Sequence, residues 1–218
     1  MRLAQHACSR FSLLMVVVTG LWVGPVANAL GQSYTSYQYV EPPYSSLVVG
    51  YAQLPFDDYS STASDINVRF EQRLNATAYI SGQYLDFSET QSGFTYPSEL
   101  RDMQLGIGYM ERSELGPHSD LSLLVGRETF QRPLHDDPTT AFVDKSNYLG
   151  VQLGLREAHG PFEVQAAVAY LYHDGDRDNQ FRWHIGAFYT LWKTFSVGLR
   201  YQDNDDYSVR SIELRYTW

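Results

Sequence analysis

A few clusters in this chain have the residue types that chemistry needs. His135-Asp136-Asp137 and His173-Asp174 each set an imidazole beside a carboxylate, a pairing that can activate a water or a serine hydroxyl. His118-Ser119-Asp120 holds the three residue types of a nucleophilic triad in a row. Asp174-Gly175-Asp176-Arg177-Asp178 spaces its acids as D-x-D-x-D, a pattern that can offer carboxylates to Ca²⁺. A calcium loop then wants Gly at its sixth position and Glu at its twelfth, where Asn179 and Ile185 stand. That run therefore reads as a solvated acidic loop, and Asp203-Asn204-Asp205-Asp206 reads the same way. No catalytic, cofactor-binding or metal-ligating residue is assigned, and no cofactor is expected.

The elements that would position these groups follow from composition and period. The chain has 218 residues, with 25 acidic against 16 basic side chains and a net charge of −9, which argues against a nucleic-acid partner. Charged residues make up only 19% while aromatics reach 15%, a mix too aromatic for disorder. Mean hydropathy is −0.33, and beyond the first 30 residues no apolar run approaches the roughly 18 that a membrane helix needs. A bundle of membrane helices is excluded.

Residues 1–29 have the three parts of a cleavable export signal. Arg2 and Arg10 precede or open the segment, an apolar core runs from Phe11 to Val23, and Ala27-Asn28-Ala29 forms an A-x-A site. Cleavage is expected after Ala29. It would remove Cys8, the only cysteine, so the exported chain would be free of disulfides. Cys8 precedes the apolar core, which argues against lipid anchoring.

From there on the dominant period is two, the signature of strands. Met103, Leu105, Ile107 and Tyr109 alternate with Asp102, Gln104, Gly106 and Gly108; Leu149, Val151, Leu153 and Leu155 alternate with Gly150, Gln152, Gly154 and Arg156. Ten such segments are predicted, at 44–54, 64–74, 76–88, 100–112, 120–131, 146–157, 162–173, 180–191, 195–203 and 207–218, with the phase of the first and third left open. Most match the 9–11 residues that a tilted strand needs to cross a membrane, plus overhang. The links alternate. Tight turns fall near Asn75, at Glu114-Leu115-Gly116-Pro117, at His159-Gly160-Pro161 and at Trp192-Lys193. The others are longer and acidic, carrying Asp57 and Asp58, residues 89–97, 133–145 and 174–179, and finally 203–206. Membrane barrels alternate in this way between their periplasmic and external rims.

The alternation also fits a soluble barrel with its apolar face inside. Two features favour the inverse. The polar rows are rich in Gly and carry both signs of charge, among them Arg69, Glu71, Arg73, Glu128, Arg156, Glu163, Arg182, Arg200, Glu213 and Arg215. Such charges can pair within a lumen, away from lipid. Aromatics such as Tyr109, Tyr170, Tyr172, Tyr189, Trp192, Phe195, Tyr216 and Trp218 stand at the ends of apolar rows, where interfacial girdles lie.

Ile212-x-Leu214-x-Tyr216-x-Trp218 resembles the carboxy-terminal signal by which bacterial outer-membrane proteins meet their assembly machinery, with Trp in place of the commoner Phe. Residues 44–218 as a whole resemble the small outer-membrane β-barrel superfamily, the OmpA-, OmpX- and opacity-protein-like group. The resemblance implies an antiparallel up-and-down transmembrane barrel, here of ten strands with eight as the alternative. It also implies outer-membrane lipid and lipopolysaccharide as surroundings, the latter bridged to the acidic loops by divalent ions as one option. Residues 30–43, with Pro42-Pro43, are expected to be a periplasmic tail. The expected role is non-enzymatic, envelope-structural or adhesion-like through the acidic external loops, with an unknown external ligand. A narrow pore for ions or small solutes is the first alternative. A hydrolase acting on lipid A or peptides through His135, Asp136 or His173 is the second; His118-Ser119-Asp120 falls on the wrong rim for it.

Overall fold

The computed structural model describes residues 41–56, 61–89, 95–112, 117–134, 139–175, 177–204 and 206–218. The expected signal, the tail up to residue 40, His135-Asp136-Asp137, Asp57 and Asp58 lie outside them. The described chain forms ten strands: β1 Ser46–Phe56, β2 Ser61–Arg73, β3 Ala78–Glu89, β4 Ser98–Glu111, β5 His118–Pro133, β6 Ala141–His159, β7 Phe162–His173, β8 Gln180–Trp192, β9 Phe195–Asp203 and β10 Ser208–Thr217. Each pairs antiparallel with its neighbours in sequence. β1 also pairs with β10, from Ser46 opposite Thr217 to Gln53 opposite Arg210, so the sheet is a closed barrel. The eight-strand alternative is excluded.

Sidedness follows the period-two rows. Leu105 is 55% exposed and Leu153 58%, whereas Asp102 and Glu128 are 0% exposed. Apolar side chains cover the outside and ionic ones the inside, as a barrel surrounded by hydrocarbon requires. The open phases resolve too: Leu47, Val49 and Tyr51 point outward on β1, with Val48, Ala52 and Leu54 inward. On β3, Tyr79, Leu85 and Phe87 are the buried row.

Two expectations need correction. The stretch 133–145, read as a loop, is partly ladder: Arg132 stands opposite Phe142 and Gln131 opposite Val143. The Arg132 guanidinium lies 5.7 Å above the Phe142 ring. Both faces of this ribbon stand clear of the apolar band, so no in-out contrast marks it in sequence. Tyr44, read as the first strand residue, precedes β1 and is buried with its ring 5.2 Å from that of Tyr79. Just before it, Glu41 forms ion pairs of 2.9 Å with both Arg73 and Arg112.

At the end of the barrel with the short turns, Asn75 Oδ1 accepts the backbone N–H groups of Thr77 and Ala78 at 2.8 and 2.9 Å. Gly160-Pro161 joins β6 to β7 with Gly160 at a φ of 57°, a conformation that favours glycine. Aromatic rings line the outside of the same end. Phe195 lies 6.4 Å from Trp192 and 5.2 Å from Tyr216, whose ring is 5.9 Å from Trp218. The Trp218 indole donates to Gln72 Oε1 at 3.1 Å.

Inside, large rings lie across glycines of the next strand. Tyr79 faces Gly108 and Tyr148 faces Gly126, and a Cβ at either glycine would sit 2.3 Å from the ring. Gly126→Ala must displace Tyr148, and overpacking of this kind costs about 1–3 kcal/mol. The expected result is a lower urea midpoint in unfolding followed by tryptophan fluorescence, and an unchanged midpoint would contradict the ring-over-glycine packing.

Candidate functional site

The described chemistry of this chain is concentrated in the lumen. At the short-turn end Tyr44, Tyr79 and Met110 form an apolar layer, topped by the Arg156 guanidinium 4.4 Å over the Tyr44 ring. Arg156, on β6, reaches across to Glu71 on β2 and donates to its two carboxylate oxygens at 2.6 and 2.5 Å. Asp120 accepts the Tyr79 hydroxyl at 2.8 Å and lies 3.6 Å from Arg156 Nε.

Arg69 meets Glu213 at 2.5 Å, and near the short-turn end Arg215 meets Glu163 at 2.6 Å. Arg215 also stacks 4.0 Å over Phe188. Arg182 on β8 bridges Asp102 on β4 at 2.9 Å and Glu128 on β5 at 3.0 Å. Tyr148 donates to Asp102 at 2.8 Å and Tyr207 to Glu128 at 3.2 Å. Arg177, from the link between β7 and β8, completes the group with Glu128 at 2.5 Å and Asp206 at 2.7 Å. Above these, Ala52, Leu54, Ala63, Leu85, Phe87, Leu100, Tyr207 and Val209 pack as a second apolar layer at the long-loop end. The members of these pairs are largely buried, in a setting where a charge is tolerated only when partnered.

Between them lies a cavity of about 50 Å³ bordered by Arg69, Arg156, Arg182, His184 and Arg200 with several glutamines. It has room for about three or four waters.

Of the expected ionic positions, Arg69, Glu71, Glu128, Arg156, Glu163, Arg182, Glu213 and Arg215 all join these pairs. Arg73 instead sits at the rim with Glu41. Asp102 and Asp120 complete the set; both fall on inward rows and their alternation with Met103 and Leu121 could have marked them.

The chemical clusters fare differently. His173 and Asp174 part company. His173 turns into the lumen, where its Nδ1 shares a 2.9 Å hydrogen bond with Ser146 Oγ and its ring lies 5.4 Å from Tyr148. Asp174 turns to Asn147, whose backbone N–H and side-chain amide donate to it at 2.7 and 2.8 Å. The Ser146–His173 contact joins residues that sequence spacing did not connect; it became visible only once Tyr148 was registered opposite His173. Ser146 is 3% exposed and His173 is likewise buried. His118 and Asp120 are both buried, and Asp120 is held by Tyr79 and Arg156 rather than by a serine. In the acidic turn, Asn204 Oδ1 accepts the backbone N–H groups of Asp206 and Tyr207 at 3.0 and 2.7 Å. Asp206 itself is neutralised by Arg177. Asp176 and Asp205 lie outside the described residues, and no group of three metal-ligating side chains occurs among the described ones.

Several solved membrane barrels are similar in shape. The N-terminal β-barrel domain of Pseudomonas aeruginosa OprF is 8% identical, with 80% of this chain and 100% of that one covered at a TM-score of 0.43. Outer membrane phospholipase A from Escherichia coli is 12% identical over 80% of this chain and 97% of its own, at a TM-score of 0.42. A porin is 14% identical at a TM-score of 0.34; 80% of this chain is covered and it spans 58% of the porin's length. Likeness this slight says nothing of what the chain does. No family model matches the sequence, and no curated protein matches it.

Removing one member of the central group leaves buried charge behind. Arg182→Met is expected to cost about 3–5 kcal/mol, because Asp102 and Glu128 lose their shared partner. Adding Asp102→Asn to that variant should recover part of the loss in urea unfolding followed by tryptophan fluorescence. Failure to recover any would mean that the carboxylate is not the strained group.

Outside the strands, the two hydrogen bonds from Asn147 hold the Asp174 carboxyl below the usual carboxylate range. A depressed value stabilises the folded loop above the ordinary aspartate range, near pH 3.9, and the effect fades as pH falls through the lowered value. Carbon-detected NMR titration should place the Asp174 midpoint below the ordinary aspartate value near 3.9, and Asn147→Ala should raise it toward that value.

Proposed function

We propose that this chain is a non-enzymatic protein of a bacterial outer membrane, acting as an envelope-structural or surface-contact element through acidic loops at its external, long-loop end. The state of the lumen carries this reading. Ion pairs fill its middle and apolar clusters lie toward both ends, which favours stiffness over passage. In a barrel of this girth side chains take up most of the interior, whereas open porins use 16–18 strands.

The outer surface supports the location. Its apolar rows are flanked by aromatic rings, the arrangement suited to lipid and lipopolysaccharide. On β10 the outward row Ile212, Leu214, Tyr216 and Trp218 is the segment offered to the assembly machinery. Asp174 and Asp178 bring negative charge to the long-loop end, where a cationic or cation-bridged surface would meet them.

The test combines fractionation with two functional assays. The expected result is a band in outer-membrane fractions that migrates differently before and after boiling. Silence is expected in planar bilayers, with no release of acyl chains or peptide fragments. Discrete conductance steps would replace this reading with the narrow pore. Hydrolysis lost in His173→Ala would replace it with the hydrolase.

A further inference from the structure

We propose that the outer face of β5 and β6, at its external edge, holds an outer-leaflet lipid by a phosphate monoester, with Arg127 and Lys145 as the cations and Thr129 as a hydroxyl donor beside them. The inference rests on the outer-membrane reading above. It starts from the level at which the outward rows stop being apolar. On β5 the row Leu121, Leu123 and Val125 gives way to Arg127 and Thr129, and on β6 the row Leu153, Val151 and Leu149 gives way to Asn147 and Lys145. Val125 stands opposite Leu149, Arg127 opposite Asn147 and Thr129 opposite Lys145. Both strands therefore turn polar together, toward the long-loop end, where the apolar band meets the lipid headgroups.

Arg127 and Lys145 are exposed, and among the described residues neither side chain has an ion-pair or hydrogen-bond partner. They are diagonal neighbours across the β5–β6 ladder, about 7–8 Å apart at the backbone, so two long side chains can converge on one group. The nearby acids are engaged elsewhere. Asp86 and Glu99 each lie 3.1 Å from Arg101, Asp174 accepts both Asn147 donors, and Asp144 lies 3.4 Å from Arg177.

Charge selects the ligand. Two unpaired cations beside a hydroxyl match a phosphate monoester, which carries about −1.5 to −2 near neutral pH, better than a singly charged diester. The outward Leu123, Val125, Leu149 and Val151 are each about half exposed and offer acyl chains an aliphatic surface next to the cations. Arg210 on β10 is a natural control. It is exposed at the same end of the barrel, but its register partners are Gln53 and Tyr201, so no second cation stands across from it.

The experiment uses the refolded full chain in a maltoside detergent, which carries no phosphate, with diphosphoryl lipid A added and bound lipid counted by native mass spectrometry. One lipid A is expected to bind tightly. Arg127→Gln and Lys145→Gln together should weaken it about tenfold or more, while Arg210→Gln leaves it unchanged. Phosphatidylglycerol, a diester, should bind more weakly, and excess inorganic phosphate should not displace lipid A. Equal binding by wild type and the double variant would overturn the site. So would an equal loss in Arg210→Gln, equal affinity for phosphatidylglycerol, or displacement by free phosphate. Flotation of the same chain with phosphatidylcholine vesicles separates this site from the reading beneath it. A chain that floats but fails these comparisons keeps its membrane and loses the site; a chain that stays in the aqueous layer loses both.

Discussion

Closure of the ladder between β1 and β10 is the constraint from which the rest follows. Hydrocarbon offers no partner to a backbone N–H or carbonyl, so a sheet can cross it only when no edge is left open. Val49 opposite Leu214 and Tyr51 opposite Ile212 remove that edge. Both pairs also point apolar side chains outward, so one register completes the backbone bonds and the greasy surface together. A shift of one residue would turn those side chains inward.

Outward apolar rows oblige the alternate rows to be accommodated inside. The ionic side chains there join strands that are not neighbours in the sheet: Arg156 ties β6 to β2, Arg182 ties β8 to β4, and Arg215 ties β10 to β7. These are braces across the tube. Glycines opposite Tyr79 and Tyr148 make room for rings to lie flat along the wall.

Much of this architecture was legible before the structure, for a physical reason. Lipid demands contrast between successive residues, and Met103 to Tyr109 or Leu149 to Leu155 display it without ambiguity. Where the demand lapses, so does the signal. On β1 and β3 the inward row turns apolar toward the long-loop end, where Leu54, Leu85 and Phe87 cluster, so neither face stands out in sequence. Where Gln131 and Arg132 pair with Val143 and Phe142, neither face is buried, so no alternation marks the ladder in sequence. The lumen was legible as a population of paired charges but not as particular pairs. Which acid meets which arginine depends on distances across the tube. Sequence spacing carries none of this, and it set His173 beside Asp174 when its partner is Ser146.

The central claim is the inside-out arrangement, and accessibility along one strand tests it most directly. With Cys8 replaced, single cysteines at residues 103–109 of β4 can carry spin labels in lipid bilayers. Relaxation by lipid-dissolved oxygen should be strong at 103, 105, 107 and 109 and weak at 104, 106 and 108. The opposite phase, or no alternation at all, would contradict a barrel with its apolar rows in hydrocarbon and its charges within.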